Sequence, residues 1–218
     1  MKRSIDVIEH AGEIMKKVND AVLLTTKKDG QVNAMTISWG GMAIEWGKPL
    51  FITYVRESRF TKEFLDATGE FTVNLPMGEF DKKITAVCGA KSGRDMDKVA
   101  DLGLTLEDPE EVNVPGIREL PLTLECRVLF KQEQDLANLD AADAEKWYPV
   151  DEMLGGPNKH TAYYAEIVAA YVIEQFWLQC TMRRGTCQPI SPRPDVLKYE
   201  YGRAPWLRTE ARVHFLVP

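Results

Sequence analysis

The chain has 218 residues and a formal net charge of −6, with 33 acidic against 27 basic side chains. This length supports one substantial domain with its own core, or two small ones at most. A hydrophobic fraction of 44% and a charged fraction of 28% exclude wholesale disorder. The acidic balance also argues against a non-specific nucleic-acid binder, which needs a surplus of Lys and Arg.

The charge is unevenly distributed along the chain. Residues 1–174 contain 20 basic and 30 acidic side chains, whereas residues 175–218 contain 7 basic and 3 acidic ones. The last 44 residues also hold 5 of the 12 prolines and favour Arg over Lys by 6 to 1. This shift predicts one domain over 1–174, followed by an atypical C-terminal extension over 175–218.

The sequence predicts no targeting segment, membrane span or metal site. No apolar stretch follows the N-terminal charges, so a secretory signal is not indicated. The longest charge-free run, 30–44, is too short and polar to cross a membrane. Four cysteines without a CxxC pair and three widely separated histidines favour a reduced, cytoplasmic protein without bound metal.

The first predicted elements are a short helix and a β-hairpin. Apolar residues recur among polar ones over 5–18, which permits a weakly amphipathic helix. Two β-rich runs, 21–26 and 31–39, flank Asp29-Gly30, and this is a strong hairpin signal. Because side chains alternate along a strand, the second run has a bulky face and a small, hydroxylated face. The bulky face is Met35, Ile37 and Trp39, and the small face is Ala34, Thr36 and Ser38.

The rest of the chain favours a mainly β fold. Alternation and β-branched content predict strands at 50–55, 71–74, 120–128 and 160–172. The segment from Ser58 to Leu65 predicts a short helix with Ser58 as its N-cap. Many strands and few short helices are typical of an antiparallel barrel with helical decorations.

The start of the helix at Ser58 is a candidate anion site. Arg56, Arg59 and Lys62 cluster at a helix end whose own partial charge is positive, which is unfavourable unless an anion binds there. The hydroxyls of Ser58 and Thr61 and free backbone N–H groups add donors at the same place. The alternative is a capped surface helix with solvated basic residues.

Three further segments have two interpretations each. Residues 88–95 combine two glycines with a Ser, a Lys and an Arg, and so predict either an anion-binding turn or a loop before a helix capped by Asp95. The small face at 34–38 suits a flat ligand, or packing against a helix. His160 is a candidate catalytic residue, or an ordinary structural or solvated histidine. Neither a GxGxxG nor a P-loop motif occurs.

Six short segments occur in a characteristic order. They read NAMTISWGG, RESRFT, GEFTVNLP, SGRDMDK, LPLTLEC and HTAYYAEI, and they begin at residues 33, 56, 69, 92, 120 and 160. Each segment alone is weakly specific, but the series over residues 20–173 resembles the flavin reductase-like, flavoredoxin-type FMN-binding family. On this basis the chain is identified as a member of that family.

The resemblance implies a split β-barrel of antiparallel, Greek-key strands that binds FMN. It also implies a homodimer with the flavin near the interface, and electron transfer between NAD(P)H or a protein donor and the flavin, or from the flavin to a partner protein. Residues are carried over by position. They are Met35, Thr36, Ile37, Ser38 and Trp39 at the isoalloxazine ring, Ser58, Arg59 and Thr61 at the phosphate with Arg56 beside them, Ser92, Arg94 and Lys98 at the phosphate or ribityl side, Asn74 close by, and His160 at the flavin edge where a nicotinamide approaches.

Two questions stay open from the sequence. The chain is interpreted as an FMN-binding oxidoreductase, and the alternative is a non-catalytic flavin or haem binder that acts as a sensor or storage module on the same barrel. Beyond residue 174 the resemblance returns only at 195–202. Residues 175–218 are therefore either a lineage-specific extension or the product of an altered reading frame.

Overall fold

Residues 1–174 are the part of the chain that the computed structural model describes. The predictions made for 175–218, including the family-like segment at 195–202, lie outside it. Strands dominate the described part. They are β1 (Lys2–Ser4), β2 (Val22–Lys28), β3 (Gln31–Ile37), β4 (Gly40–Glu45), β5 (Lys48–Arg56), β6 (Glu70–Leu75), β7 (Leu106–Glu107), β8 (Gly116–Ile117), β9 (Leu122–Glu133), β10 (Val150–Asp151), β11 (Gly156–Pro157) and β12 (His160–Ile173).

Short helices decorate these strands. They are α1 (Ala11–Asn19), α2 (Phe60–Thr68), α3 (Lys83–Ala90), α4 (Lys98–Asp101) and α5 (Ala141–Trp147), with one 3-10 turn at Leu136–Asn138. Within residues 1–174, no helix is both long and apolar enough to cross a membrane.

The predicted hairpin is present between β2 and β3. Asp29 and Gly30 have φ values of 49° and 82°, as expected for the two central residues of a type I′ turn. Val22 pairs with Ile37 and Lys28 with Gln31, so the two strands are in register over their whole length. The Asp-Gly pair thus fixes the position of β3, the strand on which the site is built.

The main sheet has eight strands and curls into an open barrel. The order is β3-β2-β6-β9-β12-β5-β4, with β1 added beside β12. β3 and β4 form the two ends, yet only Ser38 and Trp39 separate them in sequence. Three Cα–Cα steps span about 11 Å at most, so the sheet has to curve until its ends approach each other. The ends do not pair in the described residues, and the predicted mainly β, split-barrel fold is confirmed.

The two faces of β3 lie in different cores. Met35 and Ile37 are buried in the barrel interior, which α1 closes with Ile14 and Val18. Ala34, on the other face, is buried outside the barrel in a second cluster that includes residues of α3 and α4. The small face thus packs against helices, which is one of the two interpretations that the sequence left open.

Two predicted helix caps were wrong. Arg59, not Ser58, occupies the N-cap position of α2, and its side chain makes no capping hydrogen bond. Ser58 Oγ instead accepts a hydrogen bond from Asn158 Nδ2 at 2.8 Å, because the loop before β12 lies against it. Asp97, not Asp95, caps α4 by accepting from the backbone N–H groups of Val99 and Ala100.

A buried carboxylate holds the irregular segment between β7 and β8 against the sheet. Glu125 of β9 is fully buried and accepts hydrogen bonds from the backbone N–H groups of Glu110, Glu111 and Val112 at 2.8, 2.7 and 3.1 Å. The hydroxyl of Tyr171 donates a fourth at 2.8 Å. Of the face of β9 that is polar in sequence, Thr123 and Glu125 are thus buried, whereas Arg127 is exposed.

Candidate functional site

A cleft rich in basic side chains lies where α2 begins, and we call it the basic cleft. Its volume is about 120 Å³. Its lining residues are Asn33, Met35, Ser58, Arg59, Phe60, Thr61, Lys91, Ser92, Gly93, Arg94 and Lys98. Four of these residues are cationic and none is acidic, so the potential in the cleft favours an anion.

Lys98 is the most buried cation of the basic cleft, at 4% exposure. Its ammonium donates to the carbonyl oxygens of Ala34 at 2.8 Å and Cys88 at 3.1 Å. Both acceptors are neutral, so the hydrogen bonds position the charge without neutralising it. Burial lowers the pKa of Lys98, and the Arg59 charge acts in the same direction. An anion beside Lys98 would relieve this cost.

Arg94 connects the loop formed by residues 91–94 to the start of α2. Its guanidinium donates to the carbonyl oxygen of Ser58 at 3.1 Å and forms an ion pair with Glu63. It also lies 5.0 Å from the centre of the Phe60 ring. Since Arg94 already has a carboxylate partner, Arg59 and Lys98 are the better-placed cations for a ligand.

A second cleft adjoins the first where β3 passes into β4, and we call it the junction cleft. Its volume is about 150 Å³. Its lining residues are Met35, Thr36, Ile37, Ser38, Trp39, Tyr54, Arg56, Arg59 and His160. Met35 and Arg59 line both clefts, so one elongated ligand can occupy both.

The edge of β3 forms one wall of the junction cleft. The side chains of Met35 and Ile37 are turned into the barrel core, and Thr36 Oγ1 donates to the carbonyl oxygen of Thr85 at 2.5 Å. β3 has no strand partner on this side in residues 1–174. Backbone groups along its edge, apart from the Ala34 carbonyl that Lys98 uses, are therefore available to a ligand.

His160 lies on the wall of the junction cleft opposite β3. Tyr148 donates its single hydroxyl proton to Gln134 Oε1 at 2.7 Å, so its oxygen accepts the 2.9 Å hydrogen bond from His160 Nδ1. Nε2 is then the unprotonated nitrogen. Burial, with the charges of Arg56 and Arg59, lowers the pKa of His160 to about 4. The imidazole is therefore neutral at pH 7.

The side chain of Arg56 is hydrogen-bonded to neighbouring segments of the chain. Its guanidinium donates to the carbonyl oxygens of Asn158 and Trp147, each at 2.9 Å, and lies 5.2 Å from the centre of the Tyr148 ring. It thereby holds the segment 134–159 against the barrel. Its charge still reaches the junction cleft, as the lowered pKa of His160 indicates.

Of the residues carried over from the family, only Asn74 lies apart from both clefts, and Lys62 of the candidate anion site pairs with Asp66 at 2.6 Å instead. Asn74 is fully buried on β6, where Nδ2 donates to the hydroxyls of Thr25 and Thr72 at 2.9 and 3.1 Å. Its Oδ1 accepts from the backbone N–H of Ile117 at 2.9 Å. These bonds use both polar atoms of its side chain to hold β8 to the sheet.

The structure brings the other predicted residues together and adds five that had not been assigned. The added lining residues are Asn33, Phe60, Lys91 and Gly93 in the basic cleft and Tyr54 in the junction cleft. The first four lie inside or beside the family-like segments. Tyr54 gave no signal, because its place depends on the pairing of β5 with β12. In residues 1–174, no group of three or more His, Cys, Asp or Glu is placed to bind a metal ion.

The sequence of this chain also matches a known protein family. The sequence model of the flavin reductase like domain matches residues 16–184. The chain therefore belongs to that family, and the predicted membership is confirmed.

Curated relatives match shorter stretches. An uncharacterized protein of Archaeoglobus fulgidus is 34% identical over 101 residues, which are 46% of this chain and 56% of that protein. The uncharacterized protein YddH of Escherichia coli is 28% identical over 132 residues, which are 59% of this chain and 69% of YddH. The chain thus spans little more than half the length of the first relative.

Solved structures share the fold. The flavoredoxin of Methanosarcina acetivorans is 28% identical, with a TM-score of 0.53 and coverage of 73% of this chain and 71% of its own. The flavoredoxin of Desulfovibrio vulgaris is 22% identical, with a TM-score of 0.54 and coverage of 71% and 69%.

Proposed function

We propose that the chain is an FMN-dependent oxidoreductase of the flavin reductase or flavoredoxin type. The observation that carries the proposal is the continuity of the two clefts through Met35 and Arg59. FMN has a phosphate at one end and a flat ring at the other. The basic cleft suits the phosphate, and the junction cleft suits the ring. The likeness to the flavoredoxin of Methanosarcina acetivorans supports the same function.

The residues of the basic cleft fit such a ligand. Asn33 is 3% exposed, and its Oδ1 has no hydrogen-bond partner in the described structure. A ribityl hydroxyl would supply the donor that this acceptor lacks. A Cβ on Gly93 would lie 2.1 Å from Asn33 Oδ1, so only glycine lets the loop approach this closely. Lys98 and Arg59 offer charge for the phosphate.

The protein's part in the chemistry is to bind FMN and to orient it. Bound FMN supplies the electron-transfer chemistry. The free edge of β3 offers backbone N–H groups to a polar ring edge, and the Trp39 ring, 5.3 Å from that of His160, offers flat apolar surface. His160 is neutral at pH 7 and hydrogen-bonded to Tyr148, so it presents an acceptor nitrogen rather than a positive charge.

Loss of a basic-cleft cation tests the phosphate assignment. Arg59→Ala should weaken FMN binding by roughly 1–3 kcal/mol, the scale of a charge-assisted hydrogen bond to an anion. The measurement is a flavin fluorescence titration. Arg3→Ala is the matched control, because Arg3 lies on β1 with Glu174 as its ion-pair partner and should leave the affinity unchanged. Equal FMN affinity in the two variants would refute the assignment.

The electron source separates the proposed enzyme from the alternative sensor or storage module. Stopped-flow mixing of the FMN-loaded protein with NADH and with NADPH should bleach the flavin well above the rate for free FMN if the chain is a reductase. A flavin that neither nucleotide reduces, but that a protein donor does, would indicate an electron carrier. A flavin inert to all three would favour the non-catalytic alternative.

We also propose that the chain forms a homodimer. Ile44 of β4, Trp46 of the turn after it and Phe130 of β9 are exposed, and the Phe130 ring lies 6.5 Å from that of Trp46 and 5.4 Å from that of Tyr164. Neighbouring exposed aromatic and aliphatic side chains of this kind are a natural contact surface for a second copy of the chain. Analytical ultracentrifugation should find a dimer that Trp46→Lys weakens and that the control Val150→Lys, at another exposed site, leaves intact.

A further inference from the structure

Three hydrogen-bonded side chains, those of Gln134, Tyr148 and His160, reach the wall of the junction cleft. Tyr148 and His160 are buried, and the Tyr148 hydroxyl lies 2.7 Å from Gln134 Oε1 and 2.9 Å from His160 Nδ1. The backbone connects the two ends as well, because the N–H of Gln134 donates to the carbonyl oxygen of His160 at 3.0 Å. Gln134 and His160 are therefore held at a fixed separation with Tyr148 between their side chains.

The direction of the two side-chain hydrogen bonds depends on Gln134. A tyrosine hydroxyl has one proton, whereas a neutral imidazole has one N–H and one bare nitrogen, which can exchange places. Because Oε1 of Gln134 takes the Tyr148 proton, His160 has to carry its own proton on Nδ1. Without that acceptor the hydroxyl proton would turn to His160 Nδ1, and the imidazole proton would lie on Nε2.

The position of this proton matters to a ligand because Nε2 is the ring nitrogen that remains for one. His160 lines the junction cleft, and its Nε2 has no hydrogen-bond partner within residues 1–174. A bare Nε2 accepts from an N–H group and has nothing to donate to an acceptor. Two-electron reduction of a flavin places a hydrogen on a ring nitrogen that is a bare acceptor in the oxidised form. An acceptor in the wall of the cleft therefore favours the reduced ring.

We propose that Gln134 is a positioning residue for His160. Through Tyr148 it holds His160 as a hydrogen-bond acceptor toward the junction cleft, so that the site gains affinity for reduced flavin relative to oxidised flavin. The positioning of His160 stands on the hydrogen bonds of the chain alone. The effect on the flavin rests on the proposed function.

Nuclear magnetic resonance of the full chain without flavin tests the positioning. At pH 8, where the imidazole is neutral, the nitrogen chemical shifts of the His160 ring distinguish a proton on Nδ1 from one on Nε2. We expect the proton on Nδ1 in the unaltered chain and on Nε2 in Gln134→Leu. Gln134→Glu supplies an acceptor and no donor, so it should keep the proton on Nδ1. Gln132→Leu, at an exposed position of β9 nearby, is the matched control and should keep it there too.

Two results of this measurement would overturn the proposal. One is a proton on Nε2 in the unaltered chain. The other is a proton on Nδ1 in Gln134→Leu, because Gln134 would then not set the direction of the hydrogen bonds. A disturbance of packing alone would affect Gln134→Glu as well, so retention of Nδ1–H in the glutamate variant separates positioning from packing.

Titrations with oxidised and reduced FMN test the consequence. The ratio of the Kd for oxidised FMN to the Kd for reduced FMN should fall about three- to tenfold in Gln134→Leu, the scale of one hydrogen bond. A tenfold fall corresponds to a two-electron potential lower by ~30 mV. Gln132→Leu should leave the ratio unchanged.

The two measurements separate failure of this proposal from failure of the proposed function. FMN binding with a ratio that Gln134→Leu leaves unchanged would overturn the proposal and leave the proposed function in place. Absence of FMN binding to the unaltered chain would contradict the proposed function, and with it the effect on the flavin, while the proton position would still decide whether Gln134 positions His160.

Discussion

The Asn33–Gly93 contact is the tightest residue-level constraint in the basic cleft. In Gly93→Ala the new Cβ would meet Asn33 Oδ1 at 2.1 Å and Phe60 at 3.0 Å, so the loop or the asparagine has to move. We expect FMN affinity to fall and stability to drop by about 1–3 kcal/mol, as for other overpacked sites. Flavin titration and urea denaturation measure the two effects.

Gly12→Ala is the control for this substitution. Gly12 lies on α1 with nothing within 4 Å of a built Cβ. Alanine should stabilise the helix by about 0.5–1 kcal/mol and leave FMN affinity unchanged. If Gly93→Ala behaved like Gly12→Ala, the close approach of the loop would not matter for binding.

His160 predicts a pH dependence of stability. Its pKa falls from 6.5 to about 4 on folding, so between these values the unfolded chain binds a proton that the folded chain does not. The free energy of unfolding should therefore decrease as the pH falls from about 6.5 to 4, by up to ~3 kcal/mol. Above pH 6.5 His160 is neutral in both the folded and the unfolded chain, so it no longer makes the free energy of unfolding depend on pH.

Urea denaturation of His160→Gln across that pH range tests the assignment. This variant should lose the slope between pH 6.5 and 4, whereas His10→Gln, at the partly exposed N-terminus of α1, should keep it. A slope identical in His160→Gln and the unaltered chain would assign the pH dependence to another group.

The sequence could predict those site residues that lie close together in short motifs. Arg59, Ser92 and Lys98 lie in short motifs whose members stay together in the fold, so a resemblance carries them over. Asn74 lies in such a motif too, but its side chain faces the segment that includes β8. Only the tertiary fold shows that direction, as it does for Tyr54, which faces a cleft without any motif.

At the scale of elements, Glu125 determines whether the segment between β7 and β8 stays in place. In Glu125→Gln, one carboxylate oxygen becomes an NH₂ group that faces donors instead of accepting from them. We expect a loss of about 2–3 kcal/mol in the free energy of unfolding. Amide hydrogen exchange at Glu110, Glu111 and Val112 should accelerate.

Glu145→Gln provides the comparison, because Glu145 is exposed on α5 and its side chain forms no hydrogen bond or ion pair within residues 1–174. That variant should stay within about 0.5 kcal/mol of the unaltered chain. Similar losses in both variants would mean that the buried hydrogen bonds contribute little.

Elements with a strong local signal were predictable, and the others were not. The Asp29-Gly30 pair predicts the hairpin, and the alternation of apolar and polar residues predicts β9. β4 was missed because its Gly-rich start and single-sided pairing with β5 give no alternation. The helix predicted over 5–18 begins only at Ala11, because the backbone N–H of Ile5 donates to Ala170 of β12 and Asp6 accepts from Ile8 and Glu9 in a turn.

For the whole molecule, FMN binding should appear as added stability. A ligand that binds only the folded state at about 100 times its Kd stabilises by ~2.7 kcal/mol. For a domain of this size that is a rise of roughly 5–10 °C in Tm. Thermal denaturation with increasing FMN measures it, and riboflavin, which lacks the phosphate, is the control. Equal shifts with the two flavins would argue against a phosphate site.

The net charge of the molecule gives no hint of the proposed anion site. Residues 1–174 carry ten more acidic than basic side chains. The basic cleft is nevertheless cationic, because the charges that line it are local and Lys98 is held away from solvent by two carbonyl oxygens. An anion at this cleft can be predicted from the local placement of the basic side chains, but not from the net charge.

The two-residue connection Ser38–Trp39 has a kinetic consequence. It lies where the two ends of the sheet approach each other, and both of its residues line the junction cleft. A ligand held there would touch β3 on one side and Tyr54 and His160, of β5 and β12, on the other, and would oppose their separation. Bound flavin should therefore slow the separation of these strands, and slower amide exchange within the paired strands of the sheet would report it.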